Sequence, residues 1–238
     1  MSIRVYADAK ALARGAAQHV MMWEASALAE RDRFVLALAG GNTPRQTYTL
    51  LATAAFAEQM DWERIHIFWG DERCVPPNHP ESNYRMARET LLDHVPIPAA
   101  NVHRIPGELA PEEAAAAYAR ELSAVFGADP IRFDVILLGL GSDGHTASLF
   151  PGTDALRVDD RPVAANYVPR LESWRITLTL PVINAARHVG FIVSGDHKAE
   201  ALAAVQAEGA LPAARIRPDP GELVWLIDAA AAAKLPET

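Results

Sequence analysis

Short continuous apolar runs, each ended by a Gly- or Pro-containing turn, alternate along this chain with segments whose apolar residues recur at helical spacing. Residues 3–6 read as a short strand. Asp8 stands where an N-cap belongs for an alanine-rich helix over 9–28, with Leu12, Ala16, Val20, Trp23 and Ala27 on one face. The run 34–39 stops at Gly40-Gly41-Asn42-Thr43-Pro44, and helical spacing resumes through Tyr48, Leu51 and Ala55. Pro44 suits a first helical turn, where its missing N–H leaves nothing unpaired. Residues 65–69 form a third strand, ending in Gly70-Asp71-Glu72-Arg73. In the proline-rich loop that follows, Ser82 and Asn83 open a helix running from about 84 to 92.

The same pattern places a short strand over 101–105, a helix over 112–126 and a buried strand over 133–138. Residues 161–167 and 175–180 read as extended, and 181–186 as a short helix. The strand 189–193 ends at Ser194-Gly195-Asp196-His197-Lys198, before a helix over 199–207, a strand over 224–227 and an alanine-rich helix reaching Lys234. Alternation of this kind predicts a three-layer α/β fold: a largely parallel, Rossmann-like sheet with helices on both faces. No internal repeat or linker interrupts it, so one domain over residues 1–238 is expected.

Composition narrows the function classes. Apolar residues make up 50% of the chain, enough for a sizeable core. The net charge is −8 and no run of Lys or Arg forms a basic stripe, which argues against nucleic acid as a partner. An anionic substrate would therefore need positive charge concentrated locally. Cys74 is the only cysteine, which excludes an intrachain disulfide and a Cys-based zinc site. Residues 1–15 carry no apolar signal-type run and no segment approaches the ~20 apolar residues that span a bilayer, so a cytoplasmic location is expected.

The candidate chemistry lies in the turns after the strands. Gly40 and Gly41 let the backbone approach a ligand, and the helix start behind them offers N–H groups that favour phosphate. The Thr43 hydroxyl is either a further donor or an ordinary cap. After the third strand, Arg73 suits an oxyanion and Asp71 a base or a sugar hydroxyl; a surface ion-pair cluster is the alternative. Residues 139–144 match G-x-G-x-x-G behind a strand. A dinucleotide site is disfavoured, because Pro151 and Gly152 interrupt the following helix and Asp159 and Asp160 sit in a polar loop. What remains is Asp143-Gly144-His145, a carboxylate beside the side chain that titrates nearest neutrality; a turn-capping histidine is the alternative. Lys198 is placed either to reach a phosphate or to lie in solvent. All these turns fall at the carboxyl edge of one parallel sheet, where α/β folds hold their ligands.

Taken together, Gly40-Gly41-Asn42-Thr43-Pro44, Trp69-Gly70-Asp71-Glu72-Arg73, Pro80-Glu81-Ser82-Asn83-Tyr84, residues 139–151 and Arg175-Ile176-Thr177-Leu178-Thr179 resemble the 6-phosphogluconolactonase family. The resemblance covers nearly the whole chain, in order. Glucosamine-6-phosphate deaminases share several of these elements but place a glutamate where this chain has Phe150, and tend to have tyrosine in place of Arg73. Asn42 stands where the lactonases often have serine. The resemblance implies hydrolysis of 6-phospho-D-glucono-1,5-lactone to 6-phospho-D-gluconate, the second step of the oxidative pentose phosphate pathway. It implies His145 as general base, Asp143 or Asp71 orienting it, and Arg73 at the oxyanion. It sets the phosphate on Gly40, Gly41, Asn42 and Thr43 with Lys198 and Arg170. No metal and no cofactor are implied, since a lactone ester needs only a base and an oxyanion donor. The expected partner is a small phosphorylated sugar lactone, bound by a monomer or homodimer without nucleic acid or membrane.

Overall fold

The computed structural model of the chain describes residues 1–207 and 209–236. In chain order its elements are β1 (Ser2–Tyr6), α1 (Ala9–Glu30), β2 (Phe34–Leu38), α2 (Asn42–Leu51), α3 (Ala54–Ala57), β3 (Ile65–Trp69), β4 (Asp71–Arg73), α4 (Asn83–Thr90) and α5 (Pro111–Phe126). They continue as β5 (Val135–Leu138), β6 (Val163–Val168), β7 (Ser173–Leu178), α6 (Leu180–Asn184), β8 (His188–Val193), α7 (Ala199–Gln206), β9 (Glu222–Asp228) and α8 (Ala229–Ala232). Six strands form one sheet in the order β1-β9-β8-β5-β2-β3, and every pairing in it is parallel. Every residue of β2 and β5 is buried, so both faces of the sheet centre are covered.

Chain direction reverses between β2 and β5. From β2 the chain steps outward to β3, whereas from β5 it proceeds the other way through β8 and β9. A crevice opens at such a reversal because the connecting segments leave on opposite sides. Two tyrosines hold the strand ends bordering it. The Tyr48 hydroxyl donates to Ala39 O and accepts from Ala39 N, both at 2.9 Å. The Tyr118 hydroxyl treats Trp69 in the same way, again at 2.9 Å. Both phenols are fully buried, which raises their pKa values and keeps them protonated as donors.

The parallel α/β sheet agrees with the sequence reading, and three local features differ. First, β4, β7 and β6 form a separate antiparallel sheet of three strands, anchored to the main sheet where Leu178 N donates to Gly70 O at 2.9 Å. Second, residues 101–105 are not a strand: a 3₁₀ turn at Ala99–Asn101 leads to a single bridge between Val102 and Ile67. The next rung would need Trp69 N and O, and the Tyr118 hydroxyl holds both. Third, the helix after the Gly-Gly turn begins at Asn42 and breaks at Ala52–Thr53 before α3, rather than running on through Ala55. No helix among the described residues is long and apolar enough to cross a membrane.

Candidate active site

A cavity of about 380 Å³ opens at the β2/β5 crevice, and the turns that follow β2, β3, β5 and β8 all contribute to its wall. Gly40 and Gly41 come from the first of these. Gly41 has φ +103 and serves as N-cap of α2, a conformation that side chains rarely adopt. A Cβ on Gly40 would lie 1.9 Å from Asn83 Oδ1, so the glycine allows Asn83 to stand against the turn. Asn42 and Thr43 form the first turn of α2 behind the glycines and are not part of the cavity wall.

Strand alternation sorts the three charges of Asp71-Glu72-Arg73. In β4 the outer two are half-buried and line the cavity, while Glu72 between them points away and is buried. The Glu72 carboxylate accepts from Asn83 N and Tyr84 N at 2.8 Å and from the Ser82 hydroxyl at 3.0 Å, and so caps the N-terminus of α4. Burial pushes its pKa up, against the pull of these hydrogen bonds. On the cavity side, Arg73 donates to Asn83 Oδ1 at 2.8 Å and to Glu81 O at 2.6 Å. Asn83 Nδ2 donates to Asp71 O at 2.9 Å, and the Ser148 hydroxyl to Asp71 Oδ2 at 2.6 Å. Asp71 is therefore engaged with Ser148 and Asn83, not with the histidine.

His145 rises from the loop after β5. Its Nδ1 lies 2.5 Å from Asp143 Oδ1. Donation from Nδ1 leaves the Nε2 lone pair available, and Nε2 has no hydrogen-bond partner among the described residues. Gly141 makes this pair possible, because a Cβ there would fall 2.0 Å from His145 Nδ1 and 2.7 Å from Asp143 Oδ1. The loop is stitched to the small sheet: Asn166 Nδ2 donates to Ser148 O at 2.8 Å and to Thr153 Oγ1 at 3.0 Å. That sheet also delivers Arg170 from the turn between β6 and β7, and Arg170 Nη2 stands 2.8 Å from Asp143 Oδ2.

Burial lowers the His145 pKa, and Arg170 pushes in the same direction, against the raising effects of Asp143 and Asp71. The imidazole is thus neutral, and able to accept a proton, at neutral pH. Burial alone would raise Asp143, but its hydrogen bond and charge interaction with His145, aided by Arg170, hold it below the ordinary carboxylate value. Arg73, Arg170, Arg175 and Lys198 all line the cavity. Arg73 and Arg175 are direct partners across the β4–β7 ladder, a like-charge pairing that costs stability unless an anion sits between them. Among the described residues Arg175 donates only to Ser173 Oγ and Trp174 O. Lys198 has no carboxylate within ion-pair distance among the described residues, and burial lowers its pKa. Cys74 is half-buried with its pKa pushed up to about 11, so it is a thiol and not a nucleophile at neutral pH. Among the described residues, no group of three or more His, Cys, Asp or Glu is placed to hold a metal.

A neutral base and a surplus of cations in one crevice suit acid–base chemistry on an anionic substrate. Sequence comparison agrees: the profile of the family described as "Glucosamine-6-phosphate isomerases/6-phosphogluconolactonase" matches residues 7–225. The chain belongs to this family. Among its relatives, a 6-phosphogluconolactonase of Synechocystis sp. is 48% identical over 210 residues, 85% of each chain. One of Nostoc sp. is 43% identical over 242 residues, 98% of each chain. The solved structure of 6-phosphogluconolactonase from Trypanosoma brucei matches with a TM-score of 0.88 at 30% identity, over 99% of this chain and 98% of that one.

Of the residues expected from sequence, the structure brings Gly40, Gly41, Asp71, Arg73, His145, Arg170 and Lys198 to one cavity, with Asp143 directly behind His145. The cavity also holds Asn83, Ser148 and Arg175, which were not among the expected site residues. Asn83, Ser148 and Arg175 all lie within stretches that carry the family resemblance, so a signal for them existed. Nothing in the sequence pairs Ser148 with Asp71.

Proposed function

We propose that this protein hydrolyses 6-phospho-D-glucono-1,5-lactone to 6-phospho-D-gluconate, the second step of the oxidative pentose phosphate pathway. The observation that carries the reading is the His145–Asp143 pair opening into a cavity walled by Arg73, Arg170, Arg175 and Lys198. In this mechanism His145 Nε2 takes a proton from water as the water oxygen attacks the lactone carbonyl. Asp143 holds the imidazole in the Nδ1–H tautomer and stabilises the imidazolium that forms. Arg73, fixed by Asn83, faces the oxyanion. Collapse of the tetrahedral intermediate breaks the ring C–O bond, and the imidazolium returns its proton to the leaving ring oxygen.

The substrate phosphate rests on the Gly40–Gly41 turn at the start of α2, with Asn42 and Thr43 N–H groups behind it and Lys198 and Arg170 neutralising it. Arg175 supplies a further cation between phosphate and carbonyl. A lactone ester is reactive enough that this base and these donors suffice without a metal. The 238 residues act as one catalytic domain in this reading.

The deaminase chemistry of the same family is disfavoured by Phe150, which packs on His145 and offers no proton to an opening sugar ring. The decisive experiment generates the lactone in place from glucose 6-phosphate and its dehydrogenase, then follows acid release with and without this protein. Acceleration over spontaneous hydrolysis is expected. A rate equal to the uncatalysed one, or ammonia release from glucosamine 6-phosphate, would overturn the assignment.

A further inference from the structure

We propose that Phe150 is a positioning residue for the base: its ring fixes the plane of the His145 imidazole and holds Arg170 against Asp143. This rests on the reading of His145 as the base. The Phe150 and His145 rings are stacked, with centroids 4.0 Å apart and planes inclined by 24°. On the same ring stands the Arg170 guanidinium, its carbon 4.9 Å from the centroid. Arg170 in turn meets Asp143 Oδ2 at 2.8 Å, and Asp143 Oδ1 meets His145 Nδ1 at 2.5 Å. The four side chains close a ring in which each touches two others.

Within that ring the phenylalanine is the fixed member. Phe150 is 5% exposed, whereas the side chains of His145 and Arg170 are 27% and 50% exposed. Its main chain is pinned from behind, since Phe150 O accepts from Thr153 Oγ1 at 2.8 Å. Thr153 is itself held by the buried Asn166 of β6. A flat face does two things that an aliphatic side chain of similar volume does not. It restrains rotation of the imidazole, keeping Nδ1 on Asp143 and Nε2 toward the cavity. It also attracts the guanidinium through its π-system.

The consequence is readable as a titration. The charged groups around His145 are Asp143 on its own loop, Asp71 on β4 and Arg170 on the β6–β7 turn. Arg73, Arg175 and Lys198 line the remaining wall. Removing the ring admits water to one imidazole face and loosens Arg170, and both changes make the imidazolium easier to form.

The test compares Phe150→Leu and Phe150→Tyr with the wild type in two measurements: the His145 ring-proton titration by NMR, and kcat and KM for the lactone. In Phe150→Leu the His145 midpoint should rise toward the ordinary histidine value, and kcat should fall roughly 10- to 100-fold, as expected for a misaligned reacting group. KM should change by a smaller factor than kcat, because Lys198 and the Gly40–Gly41 turn still hold the phosphate when Arg170 loosens. Phe150→Tyr keeps the flat face and should retain both properties. Wild-type titration and kcat in the Leu variant would overturn the proposal, as would a Tyr variant impaired as much as the Leu one. If the Leu variant does not fold, Phe150→Met, unbranched and without a flat face, takes its place. The NMR midpoint needs no lactone, so it decides the role of Phe150 even if the wild-type protein fails to hydrolyse the substrate.

Discussion

Arginines gather at both ends of the main sheet, and only one end has the character of an active site. At the amino edge, Arg31, Arg33, Arg132 and Arg187 surround a cavity of about 570 Å³, larger than the 380 Å³ cavity at the carboxyl edge. The amino-edge cations are engaged with the protein itself. Arg31 and Arg187 approach Asp134 Oδ1 at 3.0 and 3.4 Å, while Asp134 Oδ2 accepts from Val35 N at 2.8 Å. Arg33 donates to Val125 O, and Arg132 to Ala185 O and Pro220 O. That network ties the starts of β2, β5 and β8 to the end of α1. At the carboxyl edge Lys198 and Arg175 meet no carboxylate at ion-pair distance among the described residues, and a neutral histidine faces the same space. Cavity size and cation number do not separate the two ends. What separates them is the partner each set of cations faces: a buried carboxylate shared by two arginines and main-chain carbonyls at the amino edge, and a neutral histidine beside an unpaired lysine at the carboxyl edge.

Mutations should divide along this line, starting with the largest effect. His145→Ala should lose on the order of 10²–10⁴-fold in kcat, the usual contribution of a general base, while still binding 6-phosphogluconate by calorimetry. Wild-type turnover would remove His145 from the mechanism. Gly141→Ala places a methyl against the His145–Asp143 pair and should cost roughly 10²-fold in kcat without unfolding the protein; activity within a few-fold of wild type would show that the pair tolerates displacement.

At the opposite edge the signature should reverse. Asp134→Ala strands two arginines that are partly hydrated and should destabilise by about 2 kcal/mol, less than for a fully buried pair. That corresponds to a Tm lower by about 4–8 °C for a chain of this size. The kcat of the folded variant should be near wild type, and a selective loss of kcat at unchanged Tm would break the contrast between the edges. Lys198→Ala should raise KM roughly tenfold, as loss of a charge-assisted contact does, with kcat little changed. An unchanged KM would move the phosphate elsewhere.

The smallest effect is in pH. Because burial sets the His145 pKa below its ordinary value of about 6.5, the unprotonated base persists as pH falls to that value, and kcat/KM should decline only below it. Asp143→Asn removes a carboxylate that favours the imidazolium, so its acid limb should move to still lower pH. An acid limb at or above 6.5 in the wild type would contradict the burial seen here.

Much of this architecture was legible in the chain. Apolar runs stopped by glycines located β2, β3, β5 and β8, and a parallel sheet must bring the turns after such strands to one edge. His145, Asp143, Arg73 and Lys198 could be named because they stand in those turns. The β6–β7 extension was also visible, but its pairing with β4 was not, since three residues of mixed charge have no strand signature until β7 lies beside them. The expected strand at 101–105 failed for the complementary reason: its local pattern was acceptable, yet Tyr118, brought in by α5, had taken the Trp69 N and O that the ladder needed next.

The sequence by itself therefore determined the strand–turn–helix order, the edge on which the chemistry lies and the family to which the chain belongs. Local periodicity and turn residues act over a few positions and can be read from them. Only the tertiary structure decided which partner each polar group received. Alternation in β4 sent Glu72 to cap α4 and its two neighbours to the cavity. Ser148 reached Asp71 across 77 positions of sequence, and Phe150 came to lie flat against His145. Such contacts depend on where distant segments pack, and hydrogen bonding and stacking carry no local pattern that announces them.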